Sequence, residues 1–374
     1  MHPFRCLLLA GILACASCAS HSLIGDVEGV NDGRPMVFGT SLPQAEADIT
    51  KGSASLDADF LVDTWKNFGA STQQVVMHHY RVDYTAGAAF PWNYVGVNNQ
   101  PQRYWDLSAF PYEFRAVSPA LGGISIGEGG ISISQPFRAQ TLLDGSYQLP
   151  GNEPCLVAHV SRSKTASGYE DRDRIKDAEI NAASRANAVR EVHMPFHHLM
   201  SKVGFRIFID DPQPDSPDYR VTLNSICIRV VNSDDSFVTA SSQYTATDAQ
   251  GLGKGTFSGN TVQSGAFTLL SHGEYTGLNL RQHLNRESAY DLSPDYLLQI
   301  PQGNISLQVD VQLTTSDNVS FPCHTVLENI AWEPDKRYNY ILHIPNLHGH
   351  QVFLDTCEVL PWEAVQTSDI PVEL

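Results

Sequence analysis

Positive charge is scarce in this chain of 374 residues: Lys and Arg number 24 against 41 Asp and Glu, a formal net charge of −17. A surface of that sign repels a phosphate backbone, so nucleic-acid binding is excluded as the function. Charge of either sign is also low, at 17% of residues beside 42% hydrophobic ones. That ratio excludes a disordered chain and calls for a folded core. A run able to cross a bilayer as a permanent anchor is missing as well. The apolar stretch Cys6 to Ala14 falls far short of the roughly 20 residues a spanning helix needs. Cysteine is sparse, seven in all. Beyond the N-terminal leader stand Cys155, Cys227, Cys323 and Cys357, whose spacings match no metal-ligand pattern, so zinc gets no support from them. As an exported chain it has three full disulfide connectivities open to these four, and buried thiols are the other reading.

Catalytic signatures are thin too. HExxH is absent. The glycines of Gly123 to Gly130 are followed by no helical pattern and no Lys-Ser/Thr pair, which excludes a phosphate loop. His78-His79 and His197-His198 are adjacent pairs. Neighbours on a strand point to opposite faces, so neither pair is expected to hold one metal. His343, His348 and His350 with Asp355 can be drawn as a cluster, but a loop between strands offers the same residues, and no metal or cofactor is expected. Asp210-Asp211 and Asp234-Asp235 lie beside turn residues, where Asp accepts backbone hydrogen bonds. No catalytic residue is assigned. Trp92, Tyr94, Tyr104 and Trp105 are the aromatic residues that would stack on sugars if exposed.

What the chain does hold is strand vocabulary. Gly 27, Pro 21 and 9% aromatics, with runs of Thr, Val, Ile and Ser, point to an all-β class. The clearest alternation is Ile305-Ser-Leu-Gln-Val-Asp-Val-Gln-Leu313, with Ile305, Leu307, Val309, Val311 and Leu313 on one face. Ile124 and Ile126, then Ile131 and Ile133, flank a Glu-Gly-Gly turn and read as a hairpin. Other runs, Gln74 to Asp83, Tyr112 to Val117, Lys202 to Ile209, Ser225 to Val231 and Tyr338 to Ile344, are bounded by turn residues in the same way. The segment 162–190 differs, since it carries seven of the 24 basic residues among Asp, Glu and Ala. It reads as an exposed insertion, with a weak helix at 170–190 held only by Ile175, Ile180 and Val189. A chain of this length favours two domains. Two antiparallel sandwiches parting near residue 195 fit the strand count, an N-terminal one at 36–195 and a C-terminal one at 196–374.

The leader MHPFRCLLLAGILACASCAS places Arg5 before the apolar run and small residues after it, an export signal. Ile12-Leu13-Ala14-Cys15 and Cys15-Ala16-Ser17-Cys18 both resemble a lipobox. Cys18 is the preferred lipidated residue, which makes 1–17 the signal peptide, and Cys15 is the alternative. Acyl chains on that cysteine would anchor the protein firmly to a membrane, with 18–35 as a tether.

The run Val192-His-Met-Pro-Phe196-His-His198-Leu-Met-Ser201-Lys202-Val203-Gly-Phe205 resembles the fimbrillin family motif, a strand, a Phe-x-His turn and a Ser-Lys-Val lead-in to the next strand. Tyr104-Trp105 and Phe114 to Pro119 upstream, and Trp332-Glu-Pro-Asp-Lys336-Arg-Tyr338 with Pro361-Trp362 downstream, are similar to other strands of that family. The resemblance spans about residues 36 to 364. It implies two transthyretin-like β-sandwich domains in a non-enzymatic subunit of type V pili at the outer membrane of Gram-negative anaerobes. Phe196, His198, Ser201, Lys202, Phe205, Trp332, Tyr338 and Trp362 would be its structural motif residues. Its partners would be other pilus subunits, joined by strand exchange, and a host or bacterial surface ligand. In stalk members a protease cuts after an Arg in the loop following the first strand. This chain departs from that pattern, because Lys51 is the only basic residue between Pro35 and Trp65 and Arg34 precedes the expected first strand. Lys51 and Arg34 are therefore the candidate processing positions, and a tip or accessory subunit is the reading that follows. The alternative is a surface glycan-binding lipoprotein without catalytic activity.

Overall fold

The computed structural model describes residues 31–41, 56, 58–148, 156–166, 168–175, 178–179, 191–210, 220–232, 236–247, 255–273, 278–345 and 351–362. Cys15, Cys18, Lys51 and Cys155 lie outside the described residues. No α-helix occurs among the described residues, and the helical turns there are the 3-10 turns Val97–Asn99 and Leu280–Gln282. The chain is all-β, as its Val, Ile, Thr and aromatic content and its alternating runs dictate.

The first half builds one long sheet. Its strands run in the order Ala178–Glu179, Gly168–Asp173, Leu156–Thr165, Tyr112–Ser118, Phe60–Lys66, Gln74–Tyr84, Trp92–Asn93, Val37–Ser41 and Glu191–Pro195. The sheet encloses one core made by side chains from most of these strands, among them Phe38, Phe60, Met77, Trp92, Phe114, Val160 and Val192, joined by Met36, Trp105 and Phe196 from outside it. Tyr112–Ser118 is buried at every residue, which requires cover on both faces. Tyr112, Phe114 and Ala116 enter this core, while Val117 joins a separate apolar cluster with Ile124, Ile126, Ile131 and Ile133. Those isoleucines come from the expected hairpin, Ile124–Gly127 paired antiparallel with Gly130–Ile133. Gly130 has φ +147, and a Cβ there would run into the Ala246 carbonyl of the neighbouring strand. Glycine is thus what lets the hairpin close onto its neighbour.

The second half packs two sheets face to face. One has the order Ser146–Gln148, Thr141–Leu143, Phe267–Gly273, Val221–Asn232, Gln302–Thr315, Ser320–Trp332, and the other Tyr290–Asp291, Ser201–Ile209, Lys336–Ile344, Phe353–Pro361. Ile305, Leu307, Val309, Val311 and Leu313 are all buried between them, while their neighbours are half-exposed. Thr141–Leu143 pairs parallel with Phe267–Gly273, and one further strand in each half pairs parallel with a strand distant in sequence: Val37–Ser41 with Glu191–Pro195, and Ser201–Ile209 with Lys336–Ile344. Each of the latter two pairs joins the two ends of its half through a long connection, as parallel pairing requires.

The structure differs from four expectations. The tether proposed for 18–35 gives way at Asn31–Pro35 to a strand paired with Tyr104–Asp106, so Arg34 sits within a strand and is half-buried. The helix expected at 170–190 is replaced over Gly168–Asp173 by a strand, and Ala178–Glu179 adds another. Within the supposed exposed insertion, Arg162, Asp171 and Asp173 are buried, because Arg162 forms a two-pronged ion pair with Asp171 and its guanidinium lies over Trp105. A division at residue 195 would also assign 124–148 to the first half. Yet Gly130–Ile133 pairs with Gln243–Thr247, Phe137–Arg138 with Phe237–Ser241 and Thr141–Leu143 with Phe267–Gly273. This segment therefore hydrogen-bonds to the second half.

Candidate functional site

Two places gather the residues the sequence singled out: the crossing between the halves, and the first strands. The crossing starts where Glu191–Pro195 ends and Phe196 drops into the first core, 5.2 Å from Phe60 between ring centroids. His197 then bridges two carboxylates from opposite halves, with Nε2 2.8 Å from Asp173 Oδ2 and Nδ1 3.0 Å from Asp335 Oδ2. Burial works to lower the pKa of His197, but its hydrogen bonds to Asp173 and Asp335 outweigh that and the pKa is raised. Both ring nitrogens therefore donate, and an imidazolium is held between two acids. Asp335 is fixed in turn, since its Oδ1 accepts the His198 N–H at 3.2 Å and its own N–H donates to the Met200 carbonyl at 3.0 Å.

The motif residues cluster around this bridge. His198 stacks on Trp362, centroids 4.0 Å apart and planes at 14°, and the Lys202 ammonium lies 4.6 Å from the same indole. Ser201 Oγ donates to the Glu333 carbonyl at 2.7 Å. Trp332 donates from Nε1 to the Tyr340 hydroxyl, on which Phe205 is stacked. Tyr338 OH accepts the Glu333 N–H at 2.8 Å. The arrangement chemically binds the chain's two halves together. His197, which the sequence reading passed over in favour of His198, is the residue that carries the ionic link. Its signal was available: a basic group beside a buried Phe, in a chain where Asp residues end nearby strands.

The strand expected after Arg34 occupies Val37–Ser41, between Trp92–Asn93 and Glu191–Pro195. Phe38 is held by edge-on contacts with Phe60, Tyr94 and Phe114, at 5.9, 5.9 and 6.2 Å between centroids. The Tyr94 hydroxyl donates to the Met36 carbonyl at 3.1 Å, and burial pushes that phenol well above its ordinary pKa. Polar side-chain bonds to Val37–Ser41 are few, the clearest being His193 Nε2 to Ser41 Oγ at 2.7 Å.

Other expected constellations disperse. His343 stands 2.9 Å from Asp210, while Asp355 pairs with Arg286; His348 and His350 lie outside the described residues. Asp211, Asp234 and Asp235 also lie outside them. Of the four aromatic residues considered for sugar stacking, Trp92, Tyr94 and Trp105 are buried and only Tyr104 is exposed. Cys227, Cys323 and Cys357 are free thiols, and burial pushes the Cys357 thiol up to about 11, which leaves it unreactive. The run Gly123-Ile124-Ser125-Ile126-Gly127 has G-x-S-x-G spacing, which the sequence reading overlooked. Ser125 sits inside a hairpin strand and not on the strand-to-helix elbow a nucleophile needs.

Two polar clusters escaped the sequence reading. Glu113 and His159, both buried, are bonded to each other, and Arg115 lies 3.5 Å from the same carboxylate. Arg115 also donates to the Gly127 and Glu128 carbonyls at the hairpin turn, so this buried group ties the hairpin to the sheet. The other cluster is Asp63, His78 and His79. Here the expectation that strand neighbours diverge is overturned. Val62 pairs with Tyr80 and Thr64 with Met77, so two histidines stand opposite the single Asp63, a β-bulge. His79 takes φ +50, which brings both rings to one side, 3.4 Å apart at their Nδ1 atoms.

No protein-family model matches the chain, and no curated protein matches it. Solved structures do. A fimbrial protein from Bacteroides vulgatus superposes with a TM-score of 0.51 at 11% identity, covering 88% of this chain and 99% of its own. A candidate cell adhesion protein from Bacteroides ovatus aligns with a TM-score of 0.45 at 11% identity over 89% of this chain and 99% of its own. Another from Bacteroides uniformis gives 0.39 at 14% identity over 88% and 98%. At such identities the likeness is one of fold, and it extends over nearly the whole chain.

Proposed function

We propose that this protein is a structural and adhesive subunit of cell-surface pili, of the tip or accessory kind, and that it works without catalysis. In this reading it is exported by its lipoprotein signal, acylated at Cys18 or, failing that, Cys15, and held at the outer membrane. No helix among the described residues is long and apolar enough to cross a membrane. The whole-length likeness to a fimbrial protein supports the general role. The observation that carries the assembly mechanism is the seating of Val37–Ser41. It is bonded on both edges and anchored by Phe38 in an aromatic cage. Its departure would leave main-chain groups and an apolar slot that a donated strand of alternating pattern can refill.

The two candidate cuts differ in consequence. A cut after Arg34 would fall within Asn31–Pro35 and leave Val37–Ser41 attached to the fold, whereas a cut after Lys51 would free both strands together. Lys51 is therefore the position that would open the groove. The purified protein should resist an Arg-specific protease between residues 36 and 60 and yield to a Lys-specific one at Lys51, read by mass spectrometry. The trimmed protein should then bind peptides from pilin C-termini, while palmitate label should be lost in the Cys18→Ala protein. If the trimmed protein binds no such peptide while the intact protein binds a defined glycan, the glycan-binding lipoprotein replaces this reading. The burial of Trp92, Tyr94 and Trp105 disfavours that alternative.

A further inference from the structure

The bulge at His78-His79 gathers atoms in a way that hairpin or core packing does not require. Asp63 is buried, and its Oδ1 accepts the His79 backbone N–H at 2.8 Å. Its Oδ2 is 2.7 Å from His78 Nδ1, and its Oδ1 is 3.2 Å from His79 Nδ1. On the far side of the ring, His79 Nε2 lies 3.2 Å from the Ile124 carbonyl. A carbonyl only accepts, so Nε2 carries the hydrogen, and in the neutral ring the Nδ1 lone pair faces the carboxylate. A ring nitrogen fixed in this way by a backbone carbonyl is the usual support of a metal-ligating histidine.

Electron-pair donors of the three residues thus converge: Asp63 Oδ2 stands 2.7 Å from His78 Nδ1, Asp63 Oδ1 stands 3.2 Å from His79 Nδ1, and the two Nδ1 atoms are 3.4 Å apart. Ligands about 2.0 to 2.1 Å from a tetrahedral zinc ion stand about 3.4 Å from one another. The two separations at His79 Nδ1, to Asp63 Oδ1 and to His78 Nδ1, already have nearly that length, and the short one, from Asp63 Oδ2 to His78 Nδ1, is set by a side chain that is 69% exposed. A cation that would oppose a bound metal is Arg115, the Cα partner of Asp63 on the next strand. Its guanidinium is engaged by Glu113, by the hairpin carbonyls and by the Trp65 ring.

We propose that Asp63, His78 and His79 form a three-ligand site for a divalent cation of the zinc class, with the fourth vertex open to solvent. Donors of two imidazoles and one carboxylate suit zinc in preference to calcium or magnesium, which take oxygen ligands. The other occupant the geometry admits is a proton on His79, whose pKa is raised chiefly by its hydrogen bond to Asp63, against the opposing effect of burial. A bound cation would lock the bulge of Gln74–Tyr84 to Phe60–Lys66 and, through Ile124, to the hairpin above.

The test is calorimetric titration of the metal-stripped full chain with zinc, alongside His78→Ala, His79→Gln and Asp63→Asn, with cobalt as a spectroscopic substitute. The wild type should take up one equivalent more tightly than the His78→Ala protein by at least about tenfold, and cobalt should give the intense visible bands of tetrahedral coordination. Because His78 is exposed, its substitution leaves the fold intact, and circular dichroism checks that. Zinc uptake that is identical in the wild type, His78→Ala and His79→Gln would overturn the proposal. So would the absence of any uptake, which would leave the proton as the sole occupant.

Discussion

Replacing His197 with Ala removes the side chain that joins Asp173 of the first half to Asp335 of the second. Asp173 and Asp335 are 6% and 10% exposed and each has a carboxylate oxygen within 3.0 Å of the ring. Once the imidazolium is gone, each loses a charge-assisted hydrogen bond, of which a typical net contribution is about 1.5 to 3 kcal/mol. Removing one partner of a buried ion pair costs about 3 to 5 kcal/mol, because the remaining charges stay buried. We expect a loss of about 3 to 5 kcal/mol in urea unfolding followed by near-ultraviolet dichroism. The pH dependence separates this from simple loss of packing. The folded-state pKa of His197 is raised above an unfolded value of about 6.5. The folded state therefore binds the proton more tightly, so the stabilisation is complete below about pH 6.5 and is lost as pH rises through the folded pKa. His79 is raised too and acts in the same sense, whereas burial lowers His193, whose effect has the opposite sign. Only the difference between wild type and variant isolates His197, and that difference should shrink from acid to alkaline pH. A loss under about 1 kcal/mol, or a gap that stays constant across the pH range, would refute the ionic bridge.

Phe38→Ala empties the aromatic cage of the first strand, and a buried Phe→Ala change typically costs about 3 to 5 kcal/mol. Thermal and urea unfolding should show that loss, and a near-neutral result would mean that Val37–Ser41 is not part of the cooperative core. Gly130→Ala drives a methyl group into the Ala246 carbonyl and should cost about 1 to 3 kcal/mol. Gly129→Ala, with open space at its Cβ, is the control expected to change little, and equal losses in the two variants would sink the close-approach argument.

How far the sequence could be read depended on which residues faced inward. Where a strand buried apolar side chains on one face, as at Ile305 to Leu313, the period of two gave both the strand and its orientation. The Ile-Gly hairpin was legible for the same reason. Gly168–Asp173 was not, because its inward residues are Asp171 and Asp173, matched to Arg162 and His197. A buried charge with a distant partner looks, in sequence, like a solvated surface. The Asp63, His78 and His79 group was hidden by a different cause. Alternation assumes a regular ladder, and the extra residue of a bulge at positive φ reverses the face on which a neighbour falls. The partners of 124–148 were not legible because, apart from two local pairings, Ile124–Gly127 with Gly130–Ile133 and Thr141–Leu143 with Ser146–Gln148, its strands pair with strands more than a hundred residues onward.

Under the pilus reading, these polar pairs bear on how the protein could lose a strand and keep its shape. The crossing is held by His197 between Asp173 and Asp335, and the hairpin by Arg115 on the Gly127 and Glu128 carbonyls. No hydrogen bond or ion pair described above joins these groups to Val37–Ser41. That strand is held mainly by its ladder and by apolar side chains, with Phe38 at the centre, beside the one polar contact from His193 to Ser41 noted above. Ladder bonds and apolar contacts are generic, so another chain of alternating pattern can supply both, whereas a buried ion pair accepts only its own partner without a large loss. Under the pilus reading the division is physically sensible. The interactions that fix the subunit's geometry are the specific ones, and those that would be exchanged between subunits are the ones any suitable strand can replace.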